Sequence, residues 1–154
     1  MPPVVFDTPH ALKDYVGREI GVSEWFSVSQ DRIRQFAEVT EDPQWIHLDA
    51  ERAKRESPWG TTIAHGFLTL SLVSRLARQV IEVRGGVRMR VNYGLNRVRF
   101  PSPVRADSRI RAHVTLQSMK ELSDCVETVQ LVTVEGEDAE KPCCVAEWLV
   151  RYYT

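Results

Sequence analysis

The sequence predicts an α+β fold in which an antiparallel β-sheet wraps around one long central helix. Three observations lead to this prediction. The first half of the chain places apolar residues at helical spacing, whereas the second half alternates polar and apolar residues as strands do. The segment 67–83 is apolar over more than one face, and such a helix is usually covered by other structure on several sides. Helical segments followed by several strands are typical of a sheet that packs on a helix.

The first half of the chain contains a predicted strand and two predicted helices before the central one. We expect a strand, a helix, a shorter helix and a loop over residues 20–28, 30–38, 49–56 and 57–62. Ser29 is a suitable N-cap for the first helix, and Asp49 is a suitable cap for the second. Pro43 disfavours helical geometry in the residue before it, so the first helix ends ahead of this proline.

The second half begins with the central helix, which Gly85 and Gly86 end. We expect five strands after it, over residues 87–91, 95–100, 108–119, 125–134 and 142–152. Pro101 and Pro103 interrupt strand pairing and indicate an edge, a bulge or a corner. Residues 135–138 are typical of a hairpin turn.

Length and charge limit the classes of protein that the chain can belong to. Its 154 residues suit a single domain, with residues 1–18 as a short N-terminal extension. Twenty basic and 21 acidic residues leave no basic field that would attract nucleic acid. The N-terminus lacks the features of a signal peptide, and no apolar run is long enough to span a bilayer. We therefore expect a cytoplasmic protein that binds neither nucleic acid nor membrane.

The three cysteines, Cys125, Cys143 and Cys144, show neither a CxxC spacing nor a set of four zinc ligands. Two of them are adjacent, and adjacent side chains on a strand point to opposite faces. We expect reduced cysteines that serve as small apolar residues.

Asp42 and His47 lie five residues apart in a proline-containing loop after the first predicted helix. A carboxylate and an imidazole in one loop can hold a water between them and move its protons, as adding water to a polarised double bond requires. Taken alone, Asp42 could instead bond its own backbone in a turn, and His47 could be an ordinary loop histidine. Gly66 lies where the central helix opens, and its free N–H could stabilise a developing oxyanion.

Three segments together resemble a known family: 42–49 with Asp42, Gln44, His47 and Asp49, then Ile63-Ala64-His65-Gly66, then 92–104. Their order resembles that of the MaoC-like dehydratases, the (R)-specific enoyl-CoA hydratases of the hotdog fold. The branch that the chain looks most like is the nodulation-protein-N-like one. The resemblance covers nearly the whole chain, from the first predicted helix to the last strand.

The loop departs from the family pattern Gly-Asp-x-Asn-Pro-x-His at three positions. Glu41 stands for the glycine, Gln44 for the asparagine and Trp45 for the proline, while Asp42 and His47 are retained. Gln44 keeps an amide that could orient the loop or the substrate. Glu41 adds a charge next to the site.

The resemblance implies a role for each site residue. Asp42, His47 and Gly66 are the implied catalytic group, acting as general base, as the holder of the water and as the oxyanion donor. Gln44, His65 and Ser74 are the candidate substrate-binding residues. His65 could instead be structural, bonding the loop and setting the start of the helix. A buried helix serine often bonds its own turn, which is the alternative for Ser74.

The implied reaction is (R)-specific hydration of trans-2-enoyl-CoA, or dehydration of (3R)-hydroxyacyl thioesters, without a metal or redox cofactor. The implied partners are an acyl-CoA or acyl-carrier-protein thioester and a second copy of the chain, in a homodimer whose sheets join. The alternatives are a hotdog acyl-CoA thioesterase and a non-catalytic protein that binds acyl thioesters. The alternating pairs Arg88/Arg90 and Arg97/Arg99 indicate either a solvated sheet face or contacts with coenzyme A phosphates.

Overall fold

The computed structural model describes residues 1–154 and contains eight strands. These are β1 (Val4–Phe6), β2 (Arg18–Val22), β3 (Phe26–Val28), β4 (Ile81–Val83), β5 (Met89–Arg99), β6 (Ser108–Glu121), β7 (Cys125–Gly136) and β8 (Cys144–Tyr153). Six of them form one sheet in the order β2-β6-β7-β8-β5, with β3 also paired to β6, and all of its pairs are antiparallel. Strands β7 and β8 alternate buried and partly exposed residues, so one face of the sheet builds the core.

The central helix α4 (Gly66–Ala77) lies against β6, β7 and β8. Its buried side chains include Leu68, Leu72, Val73 and Leu76, which join the same apolar core as the inward-facing residues of the sheet. The predicted architecture, a sheet wrapped around a central helix, is confirmed. None of the helices combines the length and the hydropathy that spanning a bilayer requires.

The central helix is shorter than predicted, because it ends at Ala77 and not at Val83. The residues that follow are rich in β-branched side chains, which favour strands. Ile81–Val83 form β4, which pairs in parallel with β1 in a separate two-stranded sheet. Ile81 is buried there, so the apolar pattern beyond Ala77 reflects a buried strand.

The N-terminal segment contributes to the same core. After β1, a 3₁₀ helix covers Pro9–Tyr15. Phe6 and Leu12 are buried, and Leu12 is fully inaccessible to solvent. Residues 1–18 are thereby held by burial of apolar surface as well as by the pairing of β1 with β4.

Three helices connect β3 to the central helix: α1 (Gln30–Thr40), α2 (Trp45–Leu48) and α3 (Ala50–Glu56). Ser29 caps α1 by accepting a hydrogen bond from the Arg32 N–H at 3.1 Å, as predicted. Asp49 caps α3 in the same way, by accepting from the Arg52 N–H at 2.9 Å. Helix α1 continues two residues beyond the predicted end. The loop that carries the predicted catalytic pair lies between α1 and α2.

Two strand predictions were wrong in detail. The expected strand 20–28 is divided into β2 and β3 at Ser23. Its N–H still donates to the Ala112 carbonyl at 2.9 Å, but its side-chain Oγ accepts the Ala112 N–H at 2.9 Å. The expected strands 87–91 and 95–100 form the single strand β5, which stays paired with β8 through two irregularities, at Asn92/Gly94 and Leu95/Arg97. A bulge shifts the register without ending the ladder, so the alternation in sequence is interrupted while pairing continues.

Candidate active site

Asp42 is placed by the end of helix α1. Glu41 adopts a left-handed conformation with φ 55°, and the Asp42 N–H donates to the carbonyl of Ala37 at 3.0 Å. This is the Schellman type of helix end, in which the left-handed position favours glycine. Glu41, which replaces the family glycine, therefore keeps the same turn, but its left-handed backbone is strained because it has a Cβ. The Asp42 side chain is 55% exposed and projects from a defined turn.

Hydrogen bonds fix both the ring and the backbone carbonyl of His47. Its Nδ1–H donates to the Ile63 carbonyl at 2.7 Å, and the Ile63 N–H donates to the Ile46 carbonyl at 3.0 Å. The Gln30 side-chain amide donates to the His47 carbonyl at 2.8 Å, and the Thr62 hydroxyl donates to the other end of that amide. His47 is only 6% exposed, so its ring has one orientation.

The bond to Ile63 decides the tautomer of His47. A carbonyl only accepts, so Nδ1 carries the proton and the Nε2 of the neutral ring is left with a free lone pair. Burial lowers the pKa of His47 below its ordinary value of 6.5, and the neighbouring His65 acts in the same direction. His47 is therefore a neutral hydrogen-bond acceptor at neutral pH.

His65 joins the Asp42 loop to the start of helix α4. Its ring stacks on His47, with centroids 3.7 Å apart and planes inclined by 22°. Its Nε2–H donates to the Asp42 backbone carbonyl at 3.0 Å. The ring is 3% exposed, and its Nδ1 has no hydrogen-bond partner in the chain. These contacts place His65 as a support for the loop, on the inner side of His47.

Gly66 is the first residue of helix α4, and the N–H groups of Gly66 and Phe67 have no acceptor in the chain. Free N–H groups at a helix N-terminus attract negative charge. A Cβ at Gly66 would lie 3.1 Å from the ring of Phe100, so glycine also lets this ring pack against the helix start. The rings of Phe100 and Phe67 meet edge to face, with their centroids 6.4 Å apart.

The structure brings Asp42, His47, His65 and Gly66 to one place. A carboxylate oxygen of Asp42 and ring nitrogens of His47 and His65 all lie within 4.8 Å of one another. One water can bridge two acceptors about 4.5 Å apart, because each of its hydrogen bonds spans about 2.8 Å. The gap between Asp42 and His47 therefore suits a single bound water.

A metal ion is the alternative occupant for these three side chains. His65 donates its Nε2–H to the Asp42 carbonyl, and its Nδ1 is buried. Only Asp42 and His47 then offer accessible ligand atoms, whereas catalytic zinc sites in proteins use three protein ligands. The donor set fits a held water better than a metal ion.

Of the other two predicted substrate-binding residues, Gln44 lies next to this group, because its backbone carbonyl accepts a hydrogen bond from the His47 N–H at 3.0 Å, whereas Ser74 lies apart from it. Gln44 is exposed at the start of α2, where its side chain makes no capping hydrogen bond. Ser74 lies eight residues beyond Gly66 on α4, about 12 Å along the helix axis. It accepts a hydrogen bond from Arg90 at 3.3 Å and lines a separate groove.

Sequence reasoning missed Gln30, Ile63 and Phe100 as parts of the site. Ile63 belongs to the segment 63–66 that carries the family resemblance, but its role was not predicted, because its backbone carbonyl and not its side chain makes the contact that selects the His47 tautomer. Gln30 was predicted only as the first residue of a helix, although its amide spans from His47 to Thr62. Phe100 lay in a predicted strand, and only the fold brings it to Gly66.

A family model described as "MaoC like domain" matches residues 12–137 of the chain. The chain belongs to the MaoC-like dehydratase family. It is therefore a hydratase or dehydratase, an enzyme that adds water to a double bond or removes water to form one. The predicted family and enzyme class are confirmed.

Relatives and solved structures agree with the family assignment. The 3-hydroxyacyl-thioester dehydratase Z of Mycobacterium tuberculosis is 46% identical over 148 residues, which cover 96% of this chain and 97% of that protein. Nodulation protein N of Rhizobium leguminosarum bv. viciae is 44% identical over 135 residues, covering 87% and 84%. An R-hydratase from Pseudomonas aeruginosa matches the fold with a TM-score of 0.67 at 23% identity, covering 90% of this chain and 81% of that one. The MaoC-like enzyme thus has the hotdog fold.

Proposed function

We propose that this MaoC-like enzyme catalyses the (R)-specific hydration of trans-2-enoyl-CoA and the reverse dehydration of (3R)-hydroxyacyl thioesters. The observation that carries the proposal is the pairing of Asp42 with a His47 whose Nδ1–H is bonded to the Ile63 carbonyl. This pairing offers a water two acceptors, the Asp42 carboxylate and the His47 Nε2. A water that donates both protons keeps its lone pairs for the substrate.

In hydration, Asp42 is the general base. It takes one proton as the water oxygen bonds to the β-carbon, and the π electrons of the double bond move towards the α-carbon and the thioester oxygen. Asp42 then returns the proton to the α-carbon on the same face, so that one water is added and the carboxylate is regenerated. A positioned base of this kind is worth about 10²–10⁴-fold in rate. His47 holds the water throughout and stays neutral.

Gly66 is the proposed donor to the thioester oxygen, which becomes negatively charged as the water adds. Its N–H is unpaired and lies at the positive end of helix α4. Preorganised donors of this kind stabilise the transition state because they are in place before the charge develops. Dehydration uses the same groups in reverse.

The proposed substrate is an acyl-CoA or acyl-carrier-protein thioester. The name of the 46% identical relative gives a 3-hydroxyacyl thioester as its substrate. The proposed R configuration follows the name of the R-hydratase that shares the fold. Gln44 is proposed to contact the substrate at the exposed rim of the site. His65 is proposed to act by positioning the loop, since its Nε2–H is bonded to the Asp42 carbonyl.

The test follows the loss of the enoyl chromophore when purified protein meets crotonyl-CoA and longer trans-2-enoyl-CoAs, with chiral analysis of the product. We expect a (3R) product, and a rate that falls about 10²–10⁴-fold in Asp42→Asn, because the amide cannot take a proton. His47→Asn places an amide nitrogen where Nδ1 stood and removes Nε2, so it should lose activity while keeping the bond to Ile63.

The matched control is Glu41→Gln, which removes a carboxylate one residue from Asp42 and should keep most of the activity. The unfolding temperature of each variant shows that it is folded. The proposal fails if the folded wild type hydrates no enoyl thioester, or if Asp42→Asn and Glu41→Gln behave alike. Release of free coenzyme A without hydration would indicate a thioesterase.

We also propose a homodimer that forms along β5. This strand lies at an edge of the sheet. It exposes large apolar side chains, with Met89 52%, Tyr93 54% and Leu95 44% accessible. A long apolar edge is an aggregation hazard unless another chain covers it. A second copy paired along the edge would cover it and would lie close to Phe67 and Phe100 at the active site.

Sedimentation velocity tests the dimer. Tyr93→Glu places a charge on the exposed edge and should shift the protein towards the monomer. Val39→Glu is the control, because Val39 is 79% exposed on α1, away from this edge. A wild-type monomer, or a dimer that Tyr93→Glu leaves intact, would contradict the proposed edge.

A further inference from the structure

A groove runs beside the active site, between helix α4 and strands β5 and β8. Its volume is about 320 Å³, and its lining includes Leu70, Ser71, Ser74, Asn92, Leu95 and Trp148. Strand β5 runs antiparallel to α4, because Phe100 contacts Gly66 at one end and Arg90 contacts Ser74 at the other. The groove therefore starts one turn from the proposed oxyanion donor and extends towards Arg90.

Arg90 is the only one of the four β5-region arginines whose side chain faces inward to the helix. It pairs in register with the buried Tyr152, and its guanidinium lies 5.4 Å from the ring centroid of Trp148. One of its N–H groups donates to Ser74 Oγ at 3.3 Å, and no carboxylate lies within ion-pair distance. A guanidinium has five N–H donors in a fixed plane, so most of those of Arg90 have no partner in the chain.

The sheet around Arg90 is polar where a core is normally apolar. Thr128 and Gln130 are buried, and the Gln130 amide donates to the Tyr152 hydroxyl at 3.1 Å and to the Thr128 hydroxyl at 3.2 Å. The Gln130 Oε1 has no hydrogen-bond partner. Buried polar groups are costly unless paired, so this cluster is maintained at the expense of stability.

We propose that the groove binds the acyl chain and that Arg90 selects chains whose far end carries a carboxylate. The proposal rests on the hydratase function above, because it places the thioester oxygen at Gly66. Ser74 lies about 12 Å from Gly66 along the helix, which suits the distal end of a medium-length chain. Arg90 would bind that carboxylate through two parallel N–H groups, and Ser74 and Asn92 could add further donors.

The positive charge of Arg90, which has no carboxylate partner in the chain, favours binding of an anion beside it. Burial lowers the pKa of the Arg90 guanidinium below its ordinary value, with Arg78 acting in the same direction and Tyr152 opposing. An anion beside the guanidinium would reverse this change, because an opposite charge stabilises the charged form. A structural arginine at this depth would instead be expected to have a carboxylate or several carbonyl partners.

The test compares two series of trans-2-enoyl-CoAs with equal chain lengths, one ending in a methyl group and the other in a carboxylate. We expect the wild type to favour the carboxylate-ended thioester at one medium length by about tenfold to a hundredfold in kcat/KM, the effect of one charged hydrogen-bonded pair. Arg90→Met should abolish this preference and leave the methyl-ended series active, whereas Arg90→Lys should keep part of it. Arg84→Met removes an exposed arginine elsewhere and should leave the preference unchanged.

Three results would overturn the proposal. These are a wild type that prefers the methyl-ended series, an Arg90→Met variant that slows both series equally, and an Arg90→Met variant that changes oligomeric state. The last would mean that a second copy of the chain accepts hydrogen bonds from the unpaired N–H groups of Arg90.

A binding measurement separates the role of Arg90 from catalysis. Calorimetry compares the binding of saturated carboxyacyl-CoA with that of saturated acyl-CoA, and neither ligand needs to react. If no thioester is hydrated, the proposed function fails, and a tighter, Arg90-dependent binding of the carboxylate-ended ligand still decides the role of Arg90.

Discussion

The oxyanion role of Gly66 can be isolated by removing its N–H while leaving the helix in place. Proline at the first position of a helix is well tolerated, because the N–H there has no helical partner and the fixed φ suits the helix. His65, the preceding residue, has φ −59° and ψ 138°, which a following proline accepts. Gly66→Pro therefore deletes the donor with little change to the backbone.

The matched variant is Gly66→Ala, which keeps the N–H and adds the same Cβ. In both variants the Cβ would lie 3.1 Å from Phe100, whose ring is at the surface and must move by a few tenths of an ångström. The ratio between the two variants thus reports the loss of the N–H together with the extra ring atoms of proline, and comparing kcat with KM separates these two effects. Removing one preorganised oxyanion donor costs about 10²–10³-fold in kcat, and we expect this ratio between Gly66→Ala and Gly66→Pro.

The assay is the rate of hydration of a trans-2-enoyl-CoA over a range of substrate concentrations, which gives kcat and KM, with urea unfolding to confirm that both variants are folded. Gly66→Ala should lose little, and the larger loss should fall in Gly66→Pro. Equal kcat values for the two folded variants would refute the oxyanion role of this N–H. A loss confined to KM would point to a steric effect of the proline ring.

Three further predictions concern the residues around this donor. Since burial lowers the pKa of His47 below 6.5, the ring stays neutral as the pH falls to that value, and kcat/KM should decline only at lower pH; an acid limb above 6.5 would contradict a neutral His47. Glu41→Gly should raise the free energy of unfolding by about 1 kcal/mol because φ is 55°, whereas Glu41→Ala should not, as urea titrations would show. Gln30→Met removes the hydrogen bonds to His47 and Thr62, and it should lower the free energy of unfolding by about 1–3 kcal/mol and lower kcat. If both values stay unchanged, the Gln30 amide does not hold His47 in place.

Prediction from sequence was correct where a single residue type is enough to indicate a local structure. Ser29 and Asp49 cap helices as expected, because a side-chain oxygen before a helix bonds the N–H groups of its first turn. It failed for the end of α4, where an apolar run fits a buried helix and a buried strand equally well. Only the pairing of β1 with β4 shows which of the two forms.

Within the site, the sequence could place Asp42, His47 and Gly66 as candidates, since each carries a group that the chemistry needs. It could not assign the tautomer of His47, which depends on a carbonyl sixteen residues away. Nor could it separate Arg90 from Arg97 and Arg99, because the irregular register of β5 decides which face each side chain takes.

The sequence by itself determined the fold class, the family and the loop that bears the carboxylate and the imidazole, because these depend on local patterns and on residue types. Tertiary structure alone decided which groups meet. The stacking of His65 on His47, the packing of Phe100 on Gly66 and the hydrogen bond from Arg90 to Ser74 join residues that are distant in the chain. The physical reason is that packing of the sheet around the helix sets these distances, and no local preference encodes them.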